Sequence, residues 1–298
     1  MMNRSVLSPE HYRSMARVGL IFNPLSGRGG ASATTTRIAH LLERQGFEVE
    51  AGPTGSLPDL PPQHLIVVGG DGTVRWVLDD ALSRWGDATP DMLVIAQGTA
   101  NLLSQHLGRV RRETDIPNLL REGPRREIDL ADVNGQLMLL MCGVGFDAAV
   151  VHKGVGRRNG PISRLSYLTP TLRTPAPPPR GLLTVYADDQ PVFGPDEASV
   201  IIANVREYGA GFPLAPDARS DDRLLDVTIM PGSTRTSLLC YTAMALMRQL
   251  DRSRAIRLKA SRVRITGHAP VQVDGEAMGY PPVEIGLRPG RARFIAPT

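Results

Sequence analysis

Lysine is almost absent from this chain of 298 residues: among its 34 basic side chains, only Lys153 and Lys259 are lysines. Basic character therefore comes from arginine, whose planar guanidinium suits bidentate contact with phosphate or carboxylate groups. An arginine-rich coding bias would produce the same composition and is the simpler explanation. The net charge of +4 and the pI of about 9.4 thus fit anionic partners without selecting one.

Cysteine is equally scarce, with Cys142 and Cys240 in apolar surroundings and no CxxC spacing. We therefore expect no disulfide framework, and we expect the protein to reside in a reducing compartment such as the cytoplasm. The six histidines show no HExxH motif and no paired metal spacing, so we interpret them as structural or surface residues.

Long apolar runs are also missing from the chain. No run approaches the roughly 20 residues that span a bilayer, and the first 17 residues lack the apolar core of a signal peptide. With 42% hydrophobic and 21% charged residues, the composition is that of a globular protein long enough for two modest domains. We expect a cytoplasmic protein that at most associates peripherally with a membrane.

The first part of the chain does contain a regular alternation of strand-like and helix-like stretches. The strand-like runs, such as "RVGLIF", are nearly continuous in apolar residues, and stretches with helical spacing separate them. This pattern predicts a parallel sheet covered by helices on both faces. The strands are expected at 17–22, 47–51, 64–68 and 92–96, and the longer helices at 33–46 and 74–85.

The pattern changes after Pro124, where strand-like runs dominate and an Asn134–Gly135 turn joins two of them. We therefore predict a second, mainly antiparallel β domain, whose last segment could return to the first domain. The predicted domains are 1–125 (nucleotide-binding α/β) and 126–298 (β-rich), with helices near 161–172 and 236–250 and a proline-rich connector at 173–181.

Three loops with phosphate-binding character follow strands of the first domain: "NPLSGRGG" from Asn23, "GGDGT" from Gly69, and "QGTANLL" from Gln97. Glycines let bulky groups approach backbone N–H groups, and a helix N-terminus attracts phosphate. Since the carboxyl ends of parallel strands meet at one sheet edge, the loops are predicted to form a single site. Each loop alone could be an ordinary turn, with Asp71 or Asn101 capping the helix that follows it.

The paired acids Asp274 and Glu276 in "VDGE" form a further candidate site. Residues two apart in an extended segment point to the same face, so both carboxylates would converge on one point. One could orient or deprotonate an acceptor hydroxyl while the other holds Mg²⁺ in phosphoryl transfer. The alternative is an exposed Asp-Gly hairpin turn, which spacing alone favours.

Six segments occur in one order along the chain: "NPLSG", "VVGGDGT", "GTANLL", "CGVGFDA", "DDRLLDV" and "VDGE". This ordered set resembles the diacylglycerol kinase catalytic family, in particular its soluble bacterial lipid-kinase branch, which is related to sphingosine and ceramide kinases. The resemblance covers nearly the whole chain. It implies a Rossmann-like α/β domain of the NAD-kinase and diacylglycerol-kinase type, followed by a mainly antiparallel β-sandwich.

The resemblance also implies roles for individual residues. Asp71, Asp274 and Glu276 would be the catalytic acids, and a structural Mg²⁺ would sit on the Asp222 side chain and the backbone carbonyls of Arg219 and Leu224. The residues implied in ATP binding are Asn23, Pro24, Leu25, Ser26, Gly27, Thr54, Gly69, Gly70, Asp71, Gly72, Thr73, Val74, Thr99 and Asn101.

Four positions depart from the pattern of many relatives. Arg75 and Trp76 stand where "GGDGTxNE" has Asn and Glu, Leu102 stands where "GTxND" has Asp, and Arg223 replaces a common Gly. Two carboxylates that could support magnesium near the nucleotide are therefore missing, which leaves Asp71 as the main candidate there.

The resemblance and the loops together indicate an ATP-dependent kinase that phosphorylates the hydroxyl of a membrane lipid, most simply diacylglycerol to give phosphatidic acid. The expected partners are a lipid at a membrane surface and no nucleic acid, and a homodimer is left open. One alternative is an NAD-kinase-like enzyme acting on a soluble metabolite. Another is an inactive lipid- or nucleotide-binding regulator, suggested by the departures at Arg75, Trp76 and Leu102.

Overall fold

A computed structural model describes residues 15–154, 181–208, 214–232 and 234–297. The helix predicted near 161–172 and all but the last residue of the predicted connector lie outside these ranges. The prediction of an α/β domain followed by a mainly antiparallel β-sandwich is confirmed.

The first domain is built on four parallel strands in the order β2-β1-β3-β4. Its strands are apolar because helices cover both faces; Leu20, Ile66 and Leu93 are fully buried on one face, and Ile21 and Leu65 on the other. The strands are β1 (Ala16–Phe22), β2 (Phe47–Pro53), β3 (His64–Gly69) and β4 (Asp91–Ala96), and the helices are α1 (Gly30–Arg44), α2 (Asp71–Trp85), α3 (Leu102–Leu107) and α4 (Ile116–Glu122).

The second domain is antiparallel and centres on one long strand, β9, which pairs with three neighbours: β7, β8 and β10. Its elements are β5 (Arg125–Val133), β6 (Gln136–Met138), β7 (Met141–Val144), α5 (Phe146–Gly154), β8 (Leu182–Ala187), β9 (Gln190–Ala203), β10 (Leu225–Pro231), α6 (Arg235–Leu246), β11 (Ile256–Ala260), β12 (Arg262–Gly267), β13 (Val271–Val273), β14 (Glu276–Gly279) and β15 (Val283–Ile295).

Strand β15 connects the strands of the second domain to those of the first within one continuous sheet. Its first residues pair antiparallel with β12, and β5 pairs antiparallel with it from Ile285 to Ile295 across an irregularity in register. Near its end, Phe294 lies beside Met92 of β4 in parallel register. Phe294 is fully buried in the core cluster shared by both domains. The last segment of the chain therefore lies in the sheet of the first domain, and it helps to fix the domains against each other.

Candidate active site

The three glycine-containing loops meet at the carboxyl ends of β1, β3 and β4, as the parallel sheet requires. Asn23 Nδ2 donates to Thr73 Oγ1 at 3.2 Å, which ties the first loop to the second. Gly70 and Gly98 touch backbone to backbone: a Cβ on Gly98 would lie 2.4 Å from the Gly70 Cα. Only glycine fits this approach, so the second and third loops close on each other because both lack side chains there.

Asp71 is the first residue of α2, and it caps a different helix from the one it begins. Its Oδ2 accepts from the Leu102 N–H and its Oδ1 from the Leu103 N–H, each at 3.0 Å. The predicted alternative, in which Asp71 caps α2, is wrong. The N-cap residue of α2 is Gly70, which has no side chain that could cap the helix. Burial raises the pKa of the Asp71 carboxyl, and the backbone donors of α3 oppose that rise.

Asn101 holds the third loop in shape rather than capping α3 with its side chain. Its backbone is left-handed with φ 51°, and its amide group exchanges two hydrogen bonds with Gly98, at 2.8 and 2.7 Å. Asparagine tolerates this conformation better than most residues. The expected Asn101 cap is therefore replaced by the carboxylate of Asp71.

A cleft of about 290 Å³ opens between the glycine loops and the second domain. Its wall carries four carboxylates from three separate segments, together with apolar side chains of the second domain. Its lining residues are Gly70, Asp71, Gly72, Thr99, Ala100, Leu102, Leu140, Met141, Asp147, Val151, Gln272, Asp274, Gly275 and Glu276.

Asp274 occupies the tight turn between β13 and β14. Asp274 and Gly275 both have positive φ, 50° and 86°, as a two-residue hairpin turn demands. The Asp274 carboxylate accepts from three consecutive backbone N–H groups, of Leu139, Leu140 and Met141, at 2.8–2.9 Å. Its removal from solvent raises the pKa of Asp274 to about 6, and the three donors oppose the shift.

Asp274 and Glu276 both line the cleft, but a hairpin turn lies between them, so the expected extended geometry of this segment is wrong. The turn at Asp274 directs that carboxylate onto Leu139–Met141, whereas Glu276 Oε2 accepts from Arg75 Nη2 of α2. Glu276 Oε1 lies 3.0 Å from the position a Cβ on Gly72 would take. The structure therefore brings Glu276 from the second domain against the glycine loop of the first.

Two polar residues in or beside the cleft, Asp147 and Arg75, were given no role by the sequence analysis. Asp147, at the start of α5, accepts from Gln272 Nε2 at 2.8 Å and from the Tyr208 hydroxyl. Asp147 lies within the segment "CGVGFDA", which marked the resemblance without a role being assigned to a residue. Arg75 was noted only as a departure, because nothing in the sequence pairs it with Glu276, which lies 201 positions away.

Several predicted ATP-binding residues do not line the cleft. Val74 is fully buried in the core, and its N–H already bonds to Gly70 O. Leu25 is 89% exposed at the outer edge of the first loop. The other members outside the lining are Asn23, Pro24, Ser26, Gly27, Thr54, Gly69, Thr73 and Asn101.

The loop predicted to hold a structural Mg²⁺ is organised by ion pairs. Asp222 Oδ2 lies 2.6 Å from Lys259 Nζ, which also reaches Asp226 at 3.4 Å, and Asp222 Oδ1 accepts from the Leu224 N–H. Arg219 extends to Asp221. With an ammonium group already on its carboxylate, this donor set does not fit a divalent cation. The salt-bridged alternative describes the loop better, with Lys259 in place of an arginine.

The cleft itself fits a magnesium ion that arrives with a nucleotide. Among the described residues, no three His, Cys, Asp or Glu side chains converge to hold a metal unaided. Mg²⁺ is usually bound by one or two carboxylates plus substrate phosphates, and Asp71 lies beside the glycine loop where phosphates would lie.

Comparisons with known proteins agree with this architecture. Residues 17–133 match the family model of the diacylglycerol kinase catalytic domain, and residues 141–296 match that of the YegS C-terminal NAD kinase beta sandwich-like domain. The chain therefore belongs to the family of diacylglycerol kinase-like and YegS-like lipid kinases.

Individual relatives cover most of the chain. It is 25% identical to the diacylglycerol kinase of Bacillus subtilis, over 91% of this chain and 93% of that one. It is 30% identical to a Pseudomonas fluorescens protein named "Probable lipid kinase YegS-like", over 78% and 77%.

Solved structures show the same fold. A diacylglycerol kinase from Bacillus anthracis superposes with a TM-score of 0.70 at 21% identity, over 95% of this chain and 98% of that one. An NAD kinase from Archaeoglobus fulgidus in complex with ATP gives 0.52 at 16% identity, over 94% and 93%. None of the helices in the described ranges is long and apolar enough to cross a membrane.

Proposed function

We propose that this kinase transfers the γ-phosphate of ATP to the hydroxyl of a membrane lipid, with diacylglycerol as the acceptor and phosphatidic acid as the product. The observation that carries the proposal is the cleft, in which the glycine loops of the first domain face Glu276 and apolar side chains of the second. A phosphate donor and an apolar acceptor would meet between them.

The start of α2 is suited to nucleotide phosphates. The first hydrogen bond of the helix runs from the Val74 N–H to Gly70 O, which leaves the N–H groups of Gly72 and Thr73 without a helical partner. Such groups, together with the helix dipole, attract phosphate oxygens. The ATP complex of the Archaeoglobus fulgidus NAD kinase, which shares the fold, supports nucleotide binding here.

Glu276 is the residue we assign to the acceptor hydroxyl. Phosphoryl transfer depends on positioning and on cations across the phosphates, with a carboxylate orienting the attacking hydroxyl. Glu276 Oε1 lies against Gly72, next to the place proposed for the phosphates, so a hydroxyl bound to Glu276 would be adjacent to the phosphate donor. Mg²⁺, when bound through Asp71 and the phosphates, would neutralise the charge that develops on the transferred group.

The apolar part of the cleft would hold the lipid. Leu140, Met141 and Val151 line it on the side of the second domain, opposite the glycine loops. Leu140 and Met141 also belong to the core cluster that contains the buried face of α6, with Tyr241 and Ala245. Helix α6 thus packs on the same hydrophobic layer as the lipid side of the cleft.

The outer face of α6 fits an anionic bilayer. Its exposed apolar residues fall on one side of the helix, since they recur at three-, four- and seven-residue spacing. Beyond its end lie exposed arginines that pair with no carboxylate among the described residues, and each basic side chain near an anionic surface contributes about 1 kcal/mol. The apolar residues are Leu239, Cys240, Ala243, Leu246 and Met247, and the arginines are Arg248, Arg252 and Arg254.

Transfer from radiolabelled ATP by the purified chain tests the proposal, with diacylglycerol, sphingosine or ceramide in mixed micelles and NAD in solution as acceptors. We expect labelled phosphatidic acid. Glu276→Gln should slow its formation by about 10²–10⁴, the usual contribution of a general base, whereas the exposed Glu284→Gln should not. Labelling of NAD alone would favour the NAD-kinase alternative, and ATP binding without transfer would favour an inactive regulator.

A further inference from the structure

Arg75 is a buried cation in the first turns of α2, with 9% of its surface exposed. Burying a guanidinium is costly unless it is paired and hydrogen-bonded. The neighbouring positions of this helix show how the core is otherwise filled, since Val74, Val77 and Leu78 are all buried and apolar. A charged side chain at position 75 therefore needs a specific reason.

The pairing of Arg75 is incomplete within its own domain. Its Nη2 donates to Glu276 Oε2 of β14, across the boundary between the two domains. Its Nε is buried and has no hydrogen-bond partner among the described residues. The guanidinium also lies close enough to Asp274 to lower the pKa of that carboxyl. Its interactions are thus directed at the two acids of the "VDGE" segment.

The two carboxylate oxygens of Glu276 have different surroundings. Oε2 is bound by Arg75, while Oε1 faces Gly72 and accepts no hydrogen bond from any residue that the structure describes. The Glu276 side chain is 55% exposed, so without a partner it would sample several rotamers. Arg75 is itself held rigidly by burial in α2. One oxygen is therefore anchored and the other is left at the cleft.

We propose that Arg75 is the positioning residue of Glu276: it fixes the carboxylate so that Oε1 meets the acceptor hydroxyl beside Gly72. This assignment rests on the proposed kinase function. It also gives a role to a position that the sequence analysis could describe only as a departure. Arg75 does not line the cleft, so it acts through Glu276 rather than on the phosphates.

A purely structural role is the competing explanation, because the ion pair connects α2 to β14. The two roles differ in what they predict. A positioning residue changes the turnover number and depends on Glu276, whereas a contact that only joins the domains changes stability. Misplacement of a reacting group by about 1 Å can cost on the order of 100-fold in rate.

The test measures kcat, the KM for ATP and thermal unfolding for Arg75→Met, Arg75→Lys, Glu276→Gln and the double variant Arg75→Met/Glu276→Gln. Arg84→Met is the matched control, since Arg84 lies on the same helix, pairs with Asp80 and is 41% exposed. We expect Arg75→Met to lower kcat by about 10- to 100-fold with the KM for ATP within about threefold. Arg75→Lys should retain more activity, and the double variant should be no slower than Glu276→Gln.

Each other outcome counts against the assignment. If Arg75→Met keeps its kcat and only unfolds earlier, the ion pair is structural. If the rate losses multiply in the double variant, Arg75 acts independently of Glu276. Should Arg75→Met fail to fold, a fully active Arg75→Lys and an equally active Arg75→Gln would overturn the proposal. A wild-type protein that phosphorylates no lipid refutes the proposed function itself, and this inference with it.

Discussion

The Asp71 carboxylate accepts a hydrogen bond from the backbone N–H of Leu102 at 3.0 Å, so the acid of the second glycine loop orders the third. Both carboxylate oxygens of Asp71 therefore already accept hydrogen bonds from the backbone of the third loop. The acid that we propose for a magnesium ion is therefore also the residue that holds two phosphate loops together.

Asp71→Asn should weaken nucleotide binding and stability together. An asparagine presents an amide N–H to one of the two donors of α3, and losing a charge-assisted bond of this kind costs about 1–3 kcal/mol. Calorimetric titration with ATP and urea unfolding should both register the loss. Asp80→Asn on the same helix removes only an ion pair with Arg84 and should leave ATP affinity unchanged. Normal affinity in Asp71→Asn would contradict the role given to this residue.

Gly98→Ala should abolish ATP binding by separating two loops. The added Cβ would lie 2.4 Å from the Gly70 Cα, a distance that forces the backbone of one loop to move. Gly286→Ala on β15 is the control, because a Cβ there meets nothing within 4 Å and the position lies outside the three loops. Equal ATP affinity of the two variants would show that the approach of Gly70 and Gly98 does not shape the site.

Asp274 predicts a pH dependence of stability. Its pKa is about 6 in the folded protein and near 3.8 when unfolded, so the folded state binds more protons between these values. Its contribution to the free energy of unfolding is therefore fully present below about pH 4 and is lost as pH rises through 6. Between about pH 5 and pH 7.5 the loss amounts to about 1 kcal/mol.

Urea unfolding of the wild type and Asp274→Asn at both pH values tests this. The stability advantage of the wild type over the variant should shrink as pH rises, because the variant has no carboxyl to titrate. An advantage that stays constant or grows with pH would contradict the raised pKa.

The stability of the second domain should not depend on magnesium, because Lys259 already pairs with Asp222 and Asp226. We expect the wild type to unfold at the same temperature with magnesium or with EDTA. Lys259→Met leaves Asp222 and Asp226 without their shared cation, which should cost about 1–3 kcal/mol and make the variant responsive to magnesium.

Arg257→Met on the same strand is the control for this comparison. Arg257 binds two largely exposed acids, Asp217 and Asp251, which stay solvated without it, so no magnesium response is expected. A wild type that loses stability in EDTA would instead place a structural metal on the Asp222 loop.

Helix α6 should govern binding to anionic vesicles. Leu246→Glu/Met247→Glu puts charge on its exposed apolar face, and co-sedimentation with phosphatidylglycerol vesicles should fall by about 10-fold or more. Leu182→Glu changes an even more exposed leucine, at 57% against 40% for Leu246, on another element and should bind normally. Retained binding of the α6 variant would move the docking surface elsewhere.

Local features of the fold were predictable from the sequence because they depend on neighbouring residues. Apolar runs such as that ending at Val68 bury both faces of a parallel strand, and the glycines that follow permit a tight loop. The convergence of the three loops followed from topology alone, since parallel strands end at one edge. The family could be recognised from the ordered motifs for the same reason. Each motif is a short stretch of consecutive residues, so identifying it requires no knowledge of tertiary contacts.

The contacts that define the site were decided by tertiary structure. The turn at Asp274 directs its carboxylate to the Leu139–Met141 backbone, so the expected extended strand was wrong although both acids line the cleft. Arg75 meets Glu276, and Asp222 meets Lys259, only because packing of the domains and strands brings together residues far apart along the chain. Charged side chains have no periodicity that reveals such partners. Burial in the folded protein determines which charges pair, because a charge that is buried without a partner costs free energy.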